Sequence, residues 1–173
     1  MLLSAAGALQ GVDGAMALTL TSPAFEPSAS IPSIYTCEAE NVSPPLAWDG
    51  VPEGTKSLAL IIDDPDAPDP KAPKRVWVHW VLYNLPREAK GLAHNADRAG
   101  LPAGTVHGLT DFKKTAYGGP CPPIGRHRYF HKLYALDTTL DLVNATKAEL
   151  EAAMKTHVLA EAELIGTYQK GDR

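Results

Sequence analysis

The chain has 173 residues, 15 prolines, 14 glycines and a formal net charge of −4. That length suits one domain with a real core. The negative balance and the lack of a basic stripe argue against nucleic acid, and no apolar run is long enough to cross a membrane as a helix.

Residues 1–15 are small and apolar, but no charged residue precedes Leu2, and Asp13 falls where the apolar stretch of a leader would have to continue. They read as an N-terminal extension ahead of one domain over 16–173, and a cytoplasmic location is expected. Ala17–Thr21 alternates weakly and reads as a first strand. Thr21–Pro32 carries three prolines and is a loop. Ser33–Cys37 reads as a short strand, Asn41–Pro45 as a turn, Leu46–Trp48 as a brief strand and Val51–Thr55 as another turn. Leu58–Asp63 is a continuous apolar run of strand length and predicts a buried central strand. Asp64–Pro73 holds four prolines and three aspartates and predicts a loop at its end.

Val76–Leu85 (VWVHWVLYNL) is the clearest strand pattern. Strict alternation puts Trp77, His79, Val81 and Tyr83 on one face and Val76, Val78, Trp80 and Leu82 on the other. Both faces are largely apolar, so the strand is expected between two layers. Pro86–Ala103 shows no clear period and reads as loop, and Gly104–Tyr117 is mixed.

Gly119–Tyr129, with Gly118 ahead of it, reads GGPCPPIGRHRY and holds three prolines and three glycines. It can be neither helix nor central strand, so it predicts a shaped loop. The loop runs into a strand over Arg126–Asp137, where His127 and Tyr129 point the same way. Thr146–Glu149 is a capping box for a helix over about 147–157, with Leu150, Met154 and Val158 on one face. Glu161–Gln169 reads as a last strand or extended tail. Many short strands, Pro/Gly turns and a single clear helix predict a mainly β fold, a sandwich or barrel decorated by a helix. Cys37 and Cys121 form no CxxC pair; they read first as small buried residues, with a bridge between them left open.

Three places put polar residues where a β protein would rather not bury them: Asp64 and Asp66 at the mouth of the apolar strand, His79 within its neighbour, and His127 with Tyr129 behind the Pro-rich loop. Alone, Asp-Pro-Asp is a turn held by side-chain hydrogen bonds, and a histidine on an apolar strand, His131 included, is a core residue. His94, His107 and His157 read as surface or packing residues. Together, two carboxylates, two histidines, a phenol and a rigid wall are the parts of a small polar pocket. Imidazolium, phenol and backbone N–H groups favour phosphate; the carboxylates favour a protonated phosphate or an ammonium. A phosphoethanolamine-type head group satisfies both.

These stretches, Asp64-Pro-Asp-Ala-Pro68, the His79 strand and Gly119-Pro…Pro122-Pro123…Gly125-Arg-His127-Arg-Tyr129, resemble the phosphatidylethanolamine-binding protein family, in its bacterial Raf-kinase-inhibitor-like branch. The likeness runs from about Leu18 to Tyr168. It implies a two-sheet antiparallel β-sandwich with one or two short helices, an anion pocket at one end and a cis peptide before Pro68. The pocket residues carried over are Asp64, Asp66, Ala67, Pro68, His79, Gly119, Pro120, Pro122, His127 and Tyr129. The resemblance implies no cofactor and no metal, a small anionic or phospho-ligand, a homodimer, and a protein partner of the kind a kinase or protease inhibitor engages. Two departures stand out. The loop from Pro68 to Trp77 is shorter than in eukaryotic relatives and carries Lys74 and Arg75 where those tend to have a tyrosine, and the chain stops soon after Tyr168.

The leading expectation is therefore a binding module that regulates a partner. The alternative is a small hydrolase or metal-dependent enzyme using the two Asp and two His. No HExxH, GxSxG elbow or activated nucleophile supports it.

Overall fold

The computed structural model describes residues 16–172; the expected extension over 1–15 lies outside them. Eight strands form two antiparallel sheets: β1 (Thr19–Thr21), β2 (Leu46–Asp49), β3 (Ser57–Ala67), β4 (Arg75–Pro86), β5 (Gly91–Leu92), β6 (Val106–His107), β7 (His127–Leu136) and β8 (Val158–Tyr168). The order is β1-β2-β5 in the small sheet and β6-β4-β3-β7-β8 in the large one. Two helices, α1 (Ala96–Ala99) and α2 (Lys147–Met154), complete the fold. The mainly β, two-sheet architecture agrees with the sequence.

The cores follow from strand periodicity. Leu58, Leu60 and Ile62 of β3 point to one side, and meet Leu20 and Trp48 of the small sheet across the main core. Ala59 and Ile61 point to the other side, where Leu150 and Met154 of α2 cover them. Both faces of β3 are thus covered, as its unbroken apolar run requires.

The capping box at the start of α2 is present: the Glu149 N–H donates to the Thr146 hydroxyl and the Thr146 N–H to the Glu149 carboxylate. Such a cap stabilises a helix by about 1 kcal/mol. The helix ends at Met154, short of the expected 157, and Val158 opens β8 instead of closing a helical stripe.

Several expectations need correction. Ser33–Cys37 is not a strand: Ser33–Tyr35 forms a 3₁₀ turn behind Pro32. The neighbouring segment supplies the pairing instead, with the Ile31 N–H donating to the Thr167 carbonyl of β8. Pro86–Ala103 is not all loop, because β5 and α1 lie within it.

β3 does not stop at Asp63 but continues to Ala67. Pro65 is tolerated there because Pro65 and Asp66 fall in a register irregularity, between the Asp64↔Trp77 and Ala67↔Arg75 pairs.

The strict alternation expected for β4 is also broken. Ile62 pairs with Trp80 and Asp63 with Val78, so His79 has no partner on β3 and occupies a bulge. Val78 consequently joins Val81 and Tyr83 on the α2 side, while Trp80 and Leu82 stay in the main core. The extra residue turns His79 toward the end of the sandwich.

Candidate functional site

At that end lies a cavity of about 190 Å³, lined by residues of β3, β4, β7 and the loops between them. β3 contributes Asp64 and Ala67, β4 contributes Arg75, Trp77 and His79, and β7 contributes His127 and Tyr129. Pro68, Phe112, Cys121, Pro122 and Pro123 complete the wall. The Ala67–Pro68 peptide is cis.

The alternation that fills the main core also aims the polar residues. Asp64 follows Leu58, Leu60 and Ile62 by even steps, so it faces the sandwich interior beyond the last apolar layer. His127 and Tyr129 precede His131 and Leu133 on the same face of β7. All four polar residues are buried: Asp64 is 3% exposed, His79 3%, His127 0% and Tyr129 1%.

A hydrogen-bond chain orders the floor. The Asp66 N–H donates to Asp64 Oδ1 at 2.7 Å, and His127 Nδ1 donates to Asp64 Oδ2 at 2.6 Å. His127 Nε2 lies 3.0 Å from the Ile124 carbonyl. Both ring nitrogens thus face protein oxygens and are engaged. The local turn expected of Asp-Pro-Asp survives as the Asp66–Asp64 bond, carried inside a strand.

His79 Nδ1 donates to the Gly118 carbonyl at 2.6 Å, since a carbonyl can only accept. Burial pushes the His79 ring below the ordinary histidine range; the Gly118 bond and the Asp64, Asp63 and Asp111 carboxylates oppose this more weakly. The neutral ring keeps its Nε2 lone pair. The ring meets those of Tyr129 and Phe112 edge-on, with centroids 5.2 and 5.4 Å away.

The Tyr129 hydroxyl is buried and has no hydrogen-bond partner among the described residues. Burial first, and then the Asp64 carboxylate, push its pKa far up, so it remains a phenol and can donate.

The wall between Tyr117 and Cys121 is stitched to the segment after β1. The Tyr117 hydroxyl donates to the Tyr35 carbonyl at 2.8 Å, and the Gly119 N–H to Asn41 Oδ1 at 2.8 Å. The Cys37 N–H donates to the Pro120 carbonyl at 3.0 Å. A Cβ on Gly119 would collide with the Tyr35 carbonyl oxygen and Asn41 Oδ1, so only glycine lets the strips approach this closely. Cys37 and Cys121 are joined in a disulfide, and both residues are exposed. They are therefore not the small buried residues that the sequence first suggested. The end of β8 and the turn after it add two more ties: the Tyr168 hydroxyl donates to Glu38, and Arg126 at the loop exit donates to Asp172.

Of the ten residues expected at the site, Asp64, Ala67, Pro68, His79, Pro122, His127 and Tyr129 line the cavity. Asp66, Gly119 and Pro120 do not. Asp66 turns outward to Arg128, accepting from its Nε at 2.9 Å and from a terminal nitrogen at 2.8 Å, and that guanidinium holds its carboxyl below the usual range. Gly119 and Pro120 form the back of the wall. Arg75, Trp77, Phe112, Cys121 and Pro123 line the cavity but were not anticipated. Trp77 and Arg75 could have been found by extending the His79 side of its strand by steps of two. Phe112 comes from a stretch with no period to read. Among the described residues, no three His, Cys, Asp or Glu are grouped so as to hold a metal ion.

Comparison with known proteins fits this geometry. The profile of the phosphatidylethanolamine-binding protein family matches residues 21–169. A UPF0098 protein of Methanothermobacter thermautotrophicus is 54% identical over 156 residues, which cover 89% of this chain and all of that protein. The crystal structure of a phosphatidylethanolamine-binding protein homologue from Chlamydia trachomatis superposes with a TM-score of 0.80 at 41% identity, covering 89% of this chain and 98% of that one. Escherichia coli YbcL, described as a member of the mammalian PEBP family, gives a TM-score of 0.80 at 34% identity, with 89% and 99% covered. Both the sequence and the fold therefore show that the chain belongs to the phosphatidylethanolamine-binding protein family.

Proposed function

We propose that the protein is a binding module whose end cavity takes a small anion, phosphate or a phosphoethanolamine-type head group, and that occupancy regulates its engagement of a protein partner. The observation that carries this reading is the Tyr129 hydroxyl, a buried donor in the cavity wall without a protein partner. Leaving such a group unpaired costs about 1–3 kcal/mol, and a ligand oxygen removes that cost. His79 supports the same ligand: its Nε2 accepts from a protonated phosphate, and donates to an ionised one if the ring takes up a proton.

Binding rather than catalysis is favoured by how the polar groups are used. Asp66 is committed to Arg128, Asp64 to His127, and His127 to Asp64 and Ile124. Among the described residues, no side chain near the cavity is set up as a nucleophile with its own base.

The same reading extends the family resemblance to a homodimer and to a partner of the kind inhibitor proteins bind. Among the described residues no helix is long and apolar enough to cross a membrane.

The test is an NMR titration of labelled protein with inorganic phosphate and with phosphoethanolamine, at about pH 6 and about pH 8. Shifts confined to His79, His127, Tyr129 and the wall, larger at the lower pH, are expected. His127→Ala should abolish them. A spectrum unchanged by either ligand at both pH values would remove the anion pocket, and capture of a partner by the loops would take its place.

A further inference from the structure

The charged side chains in and beside the cavity are paired, with one exception. Asp64 faces His127, and Asp66 faces Arg128. Arg126, next to the wall, is taken by Asp172. Arg75 alone among the cavity's cationic side chains forms no ion pair among the described residues. It is exposed at the first residue of β4, and its guanidinium lies over the Trp77 ring, 4.3 Å from the centroid. Trp77 in turn meets Phe112 edge-on at 5.4 Å.

The floor cannot supply the missing charge. His79 is neutral with its one N–H given to Gly118, both nitrogens of His127 are engaged, and Tyr129 offers a neutral hydroxyl. An anion entering the cavity would find hydrogen-bonding groups at the bottom and a negative Asp64 beside them. The free positive charge in the lining sits at the mouth, parked on an aromatic face.

We propose that Arg75 is the capturing residue of this site: it leaves the Trp77 face to clamp a phosphate seated over Tyr129, and its planar fork grips two of the anion's oxygens. The inference rests on the anion-pocket reading of the cavity. Stacking on Trp77 holds the guanidinium near the mouth and restricts its freedom before the ligand arrives, which lowers the cost of ordering it. A guanidinium matches two phosphate oxygens at once, whereas a lysine ammonium acts as a point charge.

Two substitutions at this exposed position separate charge from geometry without threatening the fold. Calorimetric titration of wild type, Arg75→Gln and Arg75→Lys with phosphate, phosphoethanolamine and acetate, at low and high salt, reads both. Arg75→Gln should bind phosphate about tenfold more weakly, with a flatter salt dependence and a smaller loss for singly charged acetate. Arg75→Lys should fall between, keeping the salt dependence but losing part of the phosphate affinity. Equal phosphate affinity and salt dependence in wild type and Arg75→Gln would overturn the role of Arg75 and leave the pocket standing. Wild-type phosphate affinity in Arg75→Lys would overturn the fork. No phosphate binding by the wild type would overturn both the clamp and the pocket.

Discussion

His127 and Asp64 meet at 2.6 Å with side chains only 1% and 5% exposed, joining the start of β7 to the far end of β3. Removing one member of such a pair strands the other. Asp64→Asn should therefore lower stability by about 3–5 kcal/mol, read from urea unfolding, and should abolish phosphoethanolamine binding. A loss below about 1 kcal/mol would mean that water, not Asp64, satisfies the imidazole.

Tyr129 predicts the opposite pattern. Its hydroxyl contributes no protein hydrogen bond among the described residues, so Tyr129→Phe removes a buried polar group and nothing else. Unfolding stability should hold or rise slightly, while phosphate affinity falls by about tenfold. Titration and denaturation of the same preparation check both; a destabilised variant with full affinity would contradict the assignment.

His131 and His79 set the response to acid. Burial lowers both rings, His131 to about 4 from an ordinary 6.5. In the unfolded chain these rings take up protons as pH falls through the ordinary value, while folded His131 resists. The unfolded state then binds more protons, so stability present near neutral pH is lost as pH falls toward about 4. His131 alone accounts for roughly 3 kcal/mol over that window. Urea midpoints measured from about pH 7.5 to about pH 4.5 should fall steadily; a level midpoint would show that both rings charge without unfolding.

The Cys37–Cys121 bond closes a sequence separation of 84 residues. On a chain-entropy basis, opening it should cost on the order of 4 kcal/mol. The Cys37→Ser, Cys121→Ser variant and the reduced protein should unfold earlier and bind phosphate more weakly, because Cys121 is part of the cavity wall. Matching midpoints with and without reductant would show that the backbone ties of the wall suffice. An exposed cystine also persists best in oxidising surroundings, so thiol counting on protein taken directly from cells tests the cytoplasmic expectation.

Much of the architecture was legible because long-range order here follows local pattern. The apolar run Leu58–Ile62 implied a strand covered on both faces, and Thr146 with Glu149 marked the start of α2. Reading failed where pairing overrode pattern. Nothing in VWVHWV signals that His79 sits in a bulge, because a bulge is a property of two strands in register. Pro65 pointed to a loop, and only the irregular pairing with β4 lets a strand contain it. Arg75 looked like a loop charge until Trp77 placed it at the cavity mouth. The pairing of Cys37 with Cys121 depended on the wall folding back against the 3₁₀ turn, a contact that no spacing announces.

Asp63 and Asp64 are neighbours that serve opposite sides of one sheet. Asp63 accepts from Lys132 at 2.9 Å and from Lys147, the first residue of α2, at 2.6 Å, while Asp64 serves the cavity. One peptide unit thus mounts the helix and the ligand site together. The spacing from Leu58 onward is consequently intolerant of insertion or deletion: a single added residue would turn Asp63 into the cavity and leave two lysines without their acid, and a single deleted one would turn Asp64 to the lysines and leave His127 without its partner. Lineages of this protein should vary in the residues of that run while keeping its length fixed.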